Sequence, residues 1–170
     1  MKEKGFTLIE LVVVIVILGV LSVTAAPRFL NLSSDAKVAA LKQLAGSVRS
    51  ATEMGHTAFI LSGADTSKST NAHKPDFPKS LLPYCQPTCY FRYGYPQDGK
   101  TIERMLSGVG EGEELVFAGN SASEIRFSFR NNVNNPDSGS PSLRQESCYV
   151  WYKQPVVNNS LPEIGVSSCE

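Results

Sequence analysis

The residues of this sequence whose types and spacing could do specific chemistry are Cys85, Cys89, Cys148 and Cys169, His56 and His73, and Glu10, an acid set inside an apolar run. Thiols can pair as disulfides or bind zinc as thiolates. The first two are spaced as Cys85-Gln-Pro-Thr-Cys89, wider than the CxxC pair that suits a tetrahedral zinc site. An even number of cysteines beyond a membrane-targeting segment suits disulfides in an oxidising compartment. Three pairings are open. Cys85 with Cys89 and Cys148 with Cys169 is favoured, because each bond then closes a local loop. His56 and His73 stand at no metal-ligand spacing to the cysteines and read as solvated residues. No nucleophile is matched to a base, so the sequence nominates no catalytic residue, no metal site and no cofactor.

Four further patterns resolve to ordinary structure. Gly108-Val109-Gly110-Glu111-Gly112 lacks the preceding strand and following helix of a phosphate cradle and reads as a turn. Glu111, Glu113 and Glu114 lack an EF-hand pattern and read as a solvated acidic face. Asn31-Leu32-Ser33 and Asn158-Asn159-Ser160 fit the glycosylation acceptor pattern, which means little if the host is bacterial. Trp151, Tyr149 and Tyr152 could make a carbohydrate or surface contact, but alternation along that strand puts one of its sides in the core.

Glu10 has to be read with its surroundings. Phe6 to Ala26 reads FTLIELVVVIVILGVLSVTAA. As a helix rising about 1.5 Å per residue it crosses most of a ~30 Å hydrocarbon core. Lys2 and Lys4 precede it and the next basic residue is Arg28, so the positive-inside bias keeps the start of the chain in the cytoplasm and sends the rest outward. A cleaved secretory signal is the rival reading, since the stretch ends in small residues at Val23-Thr24-Ala25-Ala26. Two features oppose it: the apolar run is longer than a signal core, and a carboxylate inside it costs about 3 kcal/mol on insertion scales. An intramembrane acid implies a function and a positive partner within reach.

Lys4-Gly5-Phe6-Thr7-Leu8-Ile9-Glu10 followed by Leu11 to Leu18 resembles the leader of type IV pilins and pseudopilins. That resemblance implies cleavage after Gly5 by a membrane-embedded prepilin peptidase, N-methylation of the new terminus on Phe6, and a role for Glu10 in assembly, where it meets the amine of a neighbouring subunit. Charge chemistry agrees independently: an amine on Phe6 and the carboxylate of Glu10 are an i, i+4 pair, and each offsets the other's cost in lipid. Gly19 and Pro27 weaken the helix between them, and the resemblance implies that this interval loses helix when packed in a fibre. With Val23 to Leu32 and the cysteine-bounded tail, the chain looks most like pilins of the mannose-sensitive haemagglutinin (MSHA) type. The implied function is the major subunit of a fibre used for adhesion and surface attachment, with motility or biofilm formation as further roles. The alternatives are a minor pilin or secretion pseudopilin, and, from another class, a secreted binding domain with an ordinary signal peptide. The implied partners are further copies in a helical fibre, the peptidase, an inner-membrane platform with a cytoplasmic ATPase, and a host or abiotic surface. The implied location is the bacterial inner membrane, single pass with the C-terminal domain periplasmic, and then the extracellular pilus.

The remaining elements must position these residues. The sequence divides into a leader at 1–5, an apolar half-helix at 6–27, an amphipathic half-helix at 28–61 and a globular domain at 62–170. In the amphipathic part Val38, Leu41, Leu44 or Ala45, Val48, Thr52, Gly55 and Phe59 recur at helical spacing. The interval 62–112 is rich in Gly, Ser, Pro and Asn and reads as a long structured loop. Strands are expected at 114–118, 124–130, 147–153 and 163–167, where Ile125, Phe127 and Phe129 alternate. The expected fold is α+β, a type IV pilin fold with a long N-terminal helix packed on a small antiparallel sheet and a disulfide-bounded C-terminal region. Of 170 residues 42% are hydrophobic, much of this before Pro27. The 16 basic and 16 acidic residues cancel, so no strong field draws nucleic acid, and none is expected as a partner.

Overall fold

The computed structural model describes residues 7–63, 69–71, 85, 89–121 and 124–169, with 25–31 and 69–71 described by backbone alone. Gly5, Phe6 and His73 lie outside these residues. The chain separates into two compact units, Met1–Ala36 and Lys37–Glu170. In the first, the described structure is the opening part of helix α1 (Leu8–Leu61). This helix is unbroken through Gly19 and Pro27. The loss of helix expected between these two residues in a packed fibre is absent from the isolated chain. Pro27 has no N–H to offer the Val23 carbonyl. The nearby hydroxyls are satisfied locally: Ser22 Oγ donates to Leu18 O at 2.7 Å and Thr24 Oγ1 to Leu21 O at 2.9 Å.

The second unit begins with the amphipathic part of α1, whose stripe of Leu41, Leu44, Val48, Ala51, Thr52, Ala58 and Phe59 is buried. Three- and four-residue spacing puts these side chains on one face. Of these, Ala58 and Phe59 pack with Cys89 and Phe91, whereas Leu41, Leu44 and Val48 meet an antiparallel sheet in the order β4-β5-β8-β9, formed by β4 (Leu115–Ser121), β5 (Glu124–Phe129), β8 (Tyr149–Lys153) and β9 (Glu163–Val166). The register pairs Ile125 with Tyr152 and Phe127 with Val150. Those four residues therefore share one face and close the core with Leu41, Leu44 and Val48. This is an α+β arrangement, a helix face and a sheet face burying each other.

The interval 62–112, expected as a long structured loop, carries regular elements among its described residues. It holds β1 (Ser69–Asn71), β2 (Tyr90–Arg92) and β3 (Tyr95–Pro96) in a three-stranded sheet, then helix α2 (Gly99–Met105). The Asp98 carboxylate caps α2 by accepting from Thr101 N at 3.0 Å, and Thr101 Oγ1 accepts from Tyr90 N at 3.0 Å. The cap thus ties the helix to the small sheet. A further ribbon, β6 (Val133–Asn134) with β7 (Ser142–Leu143), occupies the segment expected only to separate two strands.

Two positions make the packing testable. Strand β4 carries an irregularity between Phe117 and Asn120, and Gly119 there has φ +95°. A Cβ at that position would run into the backbone carbonyl of Pro141, which cannot move aside as a side chain would. Gly119→Ala is expected to cost about 2 kcal/mol or more, read as a lowered midpoint in denaturant with an unchanged slope. The fully buried Tyr152 donates its hydroxyl to Pro96 O at 2.9 Å. Burial, reinforced by Tyr95 and Glu53, raises its pKa well above the ordinary tyrosine value. The neutral phenol is therefore the form that folding favours. Its contribution is complete below the unfolded value near 10 and is lost as pH climbs beyond it, at about 1.4 kcal/mol per pH unit. Denaturant titrations from pH 8 to 11.5 should show that fall, and Tyr152→Phe should be flatter there while about 1 kcal/mol less stable at pH 8.

Candidate functional site

The two regions that the sequence marks for function are the start of α1 and the disulfide-bounded tail. At the start, Thr7 and Glu10 form a reciprocal cap. Glu10 Oε2 accepts from Thr7 N and from Thr7 Oγ1, each at 2.8 Å, and Glu10 N donates back to Thr7 Oγ1 at 3.4 Å. This is a capping box: it satisfies the otherwise orphaned N–H groups of the first turn and places a carboxylate at the positive end of the helix dipole. The signal was in the sequence as Thr-x-x-Glu, and reading Glu10 only as a misplaced charge missed it. Gly5 and Phe6, assigned to cleavage and methylation, lie outside the described residues.

Beyond the cap the helix is apolar on every side. Leu8, Val12, Ile15, Leu18 and Val23 are all exposed in the isolated chain, Val12 at 43% and Leu8 at 80%. A helix of that kind needs an apolar surrounding, either lipid or other protein. Among the described residues no helix is long and apolar enough to cross a membrane. The stretch with described side chains, Leu8 to Thr24, rises about 25 Å. A Cβ at Gly19 would meet nothing, so no contact within the chain requires a glycine there.

In the tail Cys148 is bonded to Cys169, and just ahead of β2 Cys85 is bonded to Cys89. The first bond spans β8 and β9 and is joined by Cys148 N donating to Ser168 O at 2.7 Å. The second lies beside Ala58, Phe59 and Phe91. The aromatic trio of β8 is divided by alternation. Tyr152 is core, whereas Tyr149 and Trp151 lie on the opposite face, with Arg126 over the Tyr149 ring at 5.0 Å and Lys153 over the Trp151 ring at 4.7 Å. Trp151 also covers the place where a Cβ of Gly165 would be.

His56 is not an ordinary solvated residue. Its ring stacks on Tyr95 with centroids 4.1 Å apart, and its Nδ1 lies 3.1 Å from Gly94 O. A carbonyl only accepts, so Nδ1 carries the proton. The Gly108–Gly112 segment is a turn, closed by Gly110 N to Leu115 O at 2.9 Å and Glu113 N to Gly110 O at 3.1 Å. Glu111, Glu113 and Glu114 are exposed, and no metal-binding cluster occurs among the described residues. Arg130 binds this turn through Gly110 O and Glu113 O and holds Asp137 at 2.7 Å.

Comparison with known proteins bears on the first of these regions. Residues 1–26 match the family described as the prokaryotic N-terminal methylation motif. The chain thus carries that motif ahead of an α+β domain with two disulfides. Over 51 residues it is 53% identical to the type IV narrow pilus major component PilA5 of Thermus thermophilus, a stretch that covers 30% of this chain and 44% of that protein. The chain therefore spans less than half the length of the curated relative it matches. No solved structure matches.

The two disulfides should differ in weight. By loop-closure entropy the Cys148–Cys169 bond, with a separation of 21, contributes roughly 3 kcal/mol, and the Cys85–Cys89 bond, with a separation of 4, roughly 2 kcal/mol. Replacing Cys148 and Cys169 together by serine should lower the unfolding midpoint more than replacing Cys85 and Cys89. It should also raise amide exchange in β9, as read by hydrogen-exchange mass spectrometry.

Proposed function

We propose that this chain is the structural subunit, the major pilin, of a type IV pilus. In this reading it is made as a membrane precursor with a leader at 1–5 and cut after Gly5. It is methylated on Phe6, held in the inner membrane by 6–27 with the rest periplasmic, and then polymerised into an extracellular fibre. The observation that carries the reading is the coincidence of the methylation motif with a capped acid at the head of a helix that is apolar all round. The short identity to a pilus major component supports it. The MSHA subtype rests on the Val23 to Leu32 stretch and the cysteine-bounded tail.

Assembly follows from charge. Among the described residues Thr7 alone engages the Glu10 carboxylate, through Oε2, and leaves Oε1 for a cation. The amine freed on Phe6 is that cation, on the same chain in the membrane and on a neighbour in the fibre. In a low-dielectric core an unpaired charge is costly, so only the register that pairs every Glu10 with an amine is favoured. Exposed apolar side chains from Leu8 to Val23 then bury one another, at roughly 25 cal/mol per Å² for the part outside lipid. Gly19 and Pro27 let this interval of α1 stretch as it packs. The partners are further copies of the chain, the peptidase, and a membrane platform with its ATPase. Catalysis has no part in this.

Glu10→Ala should leave the chain inserted and processed, with fibres on sheared cells reduced at least tenfold. Glu10→Gln, which keeps the cap but not the charge, should fail in the same way. Normal fibre yield from either variant contradicts the pairing.

A further inference from the structure

The turn between β8 and β9 carries Asn158-Asn159-Ser160, residues with no part in the assembly described above. Both asparagines are exposed. The turn forms one wall of a cleft of about 470 Å³, and Tyr93 with the stacked rings of His56 and Tyr95 forms another. Among the described residues no Asp, Glu, Lys or Arg lines this cleft.

An asparagine loses its amide when the peptide nitrogen of the following residue attacks Cγ and closes a five-membered imide. Three things govern the rate: how near that nitrogen is held to the side-chain carbonyl, whether it is already committed elsewhere, and whether water reaches the site. In an unfolded chain the bulk of the following residue decides the order. By that rule Asn159, which precedes a serine, reacts ahead of Asn158, which precedes an asparagine.

The fold reverses this order. Asn159 N donates to Asn158 Oδ1 at 3.1 Å, so the Asn158 side chain is folded back over the peptide bond whose nitrogen must attack it. The same contact polarises the Cγ carbonyl. Among the described residues no other asparagine accepts from the peptide nitrogen that follows it. Ser160 N, which would attack Asn159, donates instead to Val157 O at 3.4 Å, and Ser160 Oγ donates to that carbonyl at 2.8 Å. Asn159 turns the chain here with φ +64°, a left-handed value that asparagine tolerates. The whole turn lies inside the loop closed by Cys148 and Cys169, which holds both of its ends.

We propose that Asn158 is a site of spontaneous deamidation, with water as the co-reactant. Hydroxide removes the proton of Asn159 N, and the nitrogen pair forms a bond to Cγ. The tetrahedral centre collapses as the Cγ–Nδ2 bond breaks, and the side-chain nitrogen leaves as ammonia. Water then opens the imide. Attack at Cγ restores the main chain and leaves aspartate, whereas attack at the main-chain carbonyl leaves isoaspartate, with the backbone running through Cβ. The sum is an amide and water giving a carboxylic acid and ammonia, with nothing oxidised or reduced. Either product sets a carboxylate, ionised above about pH 4, in a lining that held none. It also destroys the glycosylation acceptor pattern at this turn. In a fibre the new charge recurs along the polymer and accumulates with age; that consequence rests on the fibre reading, and the reaction at Asn158 does not.

The test incubates the detergent-solubilised full chain, folded and with its disulfides intact, for several weeks at neutral and at mildly alkaline pH. Peptide mapping by mass spectrometry reads each asparagine, and electron-transfer fragmentation separates aspartate from isoaspartate. Asn158 should convert first, to both isomers, about fivefold or more ahead of Asn159, and in proportion to hydroxide concentration. In the same chain reduced and unfolded in denaturant the order should invert in favour of Asn159. Asn158→Gln, at an exposed position, should abolish the signal with the unfolding midpoint unchanged. The proposal is overturned if folded Asn158 stays intact for as long as the unfolded chain takes to deamidate, if Asn159 leads in the folded chain, or if folding leaves the order unaltered. The chain is measured before any assembly, so failure here leaves the fibre reading intact, and failure of fibre assembly leaves this result intact.

Discussion

A carboxylate at the head of a helix that is apolar all round must have its charge answered, and the rest of the molecule can be understood around that requirement. In the isolated chain Thr7 answers it in part, with two hydrogen bonds to one oxygen of Glu10. Such a cap suits a chain awaiting a stronger partner. It holds the acid in one place on its own helix, where the dipole favours negative charge, without neutralising it. In the reading proposed above, an ammonium on Phe6 supplies the missing charge, from the same chain in lipid and from a neighbouring copy in the fibre. In that reading one local geometry serves both a monomer in lipid and a register in a polymer.

The second unit has the opposite character. Its stability is internal: Leu41, Leu44 and Val48 of α1 are buried against the alternating residues of β5 and β8, Ala58 and Phe59 are buried with Cys89 and Phe91, and Cys169 ties the edge strand β9 back to Cys148. Nothing in this core needs a partner. Its charged side chains include Arg126 and Lys153 over the outward rings of β8, and His56 stacks on Tyr95. Division of labour follows. The opening part of α1 leaves its apolar side chains exposed, and the disulfide-tied unit buries its own.

The elements legible in the sequence were those whose period is long enough to repeat. Leu41, Leu44, Val48, Thr52 and Phe59 mark a helix face over five turns, and Ile125 and Phe127 mark a strand face because their neighbours are polar. Strands of two and three residues, such as β2 and β3, contain no period to read, so Tyr90–Pro96 looked like loop. Helix α2 is seven residues long, and its clearest sign, Asp98 three residues before Thr101, is a cap and not a repeat. At the candidate site Glu10 stood out by charge, while Thr7 was hidden because a hydroxyl in a polar-to-apolar junction attracts no notice. Three cysteine pairings are open on the sequence, and the favoured one, in which each bond closes a local loop, is the pairing in the fold. His56, Tyr93 and Asn158 are far apart in the chain, and their meeting depends on tertiary packing.

The account stands or falls on the identity of the amino terminus that answers Glu10. Intact-protein and N-terminal peptide mass spectrometry of fibres sheared from producing cells measures it directly. The account predicts a mature chain that begins at Phe6, carries a methyl group on its α-amine and retains the apolar stretch through Ala26. A secreted product that begins after Ala26, with that stretch removed, would contradict it.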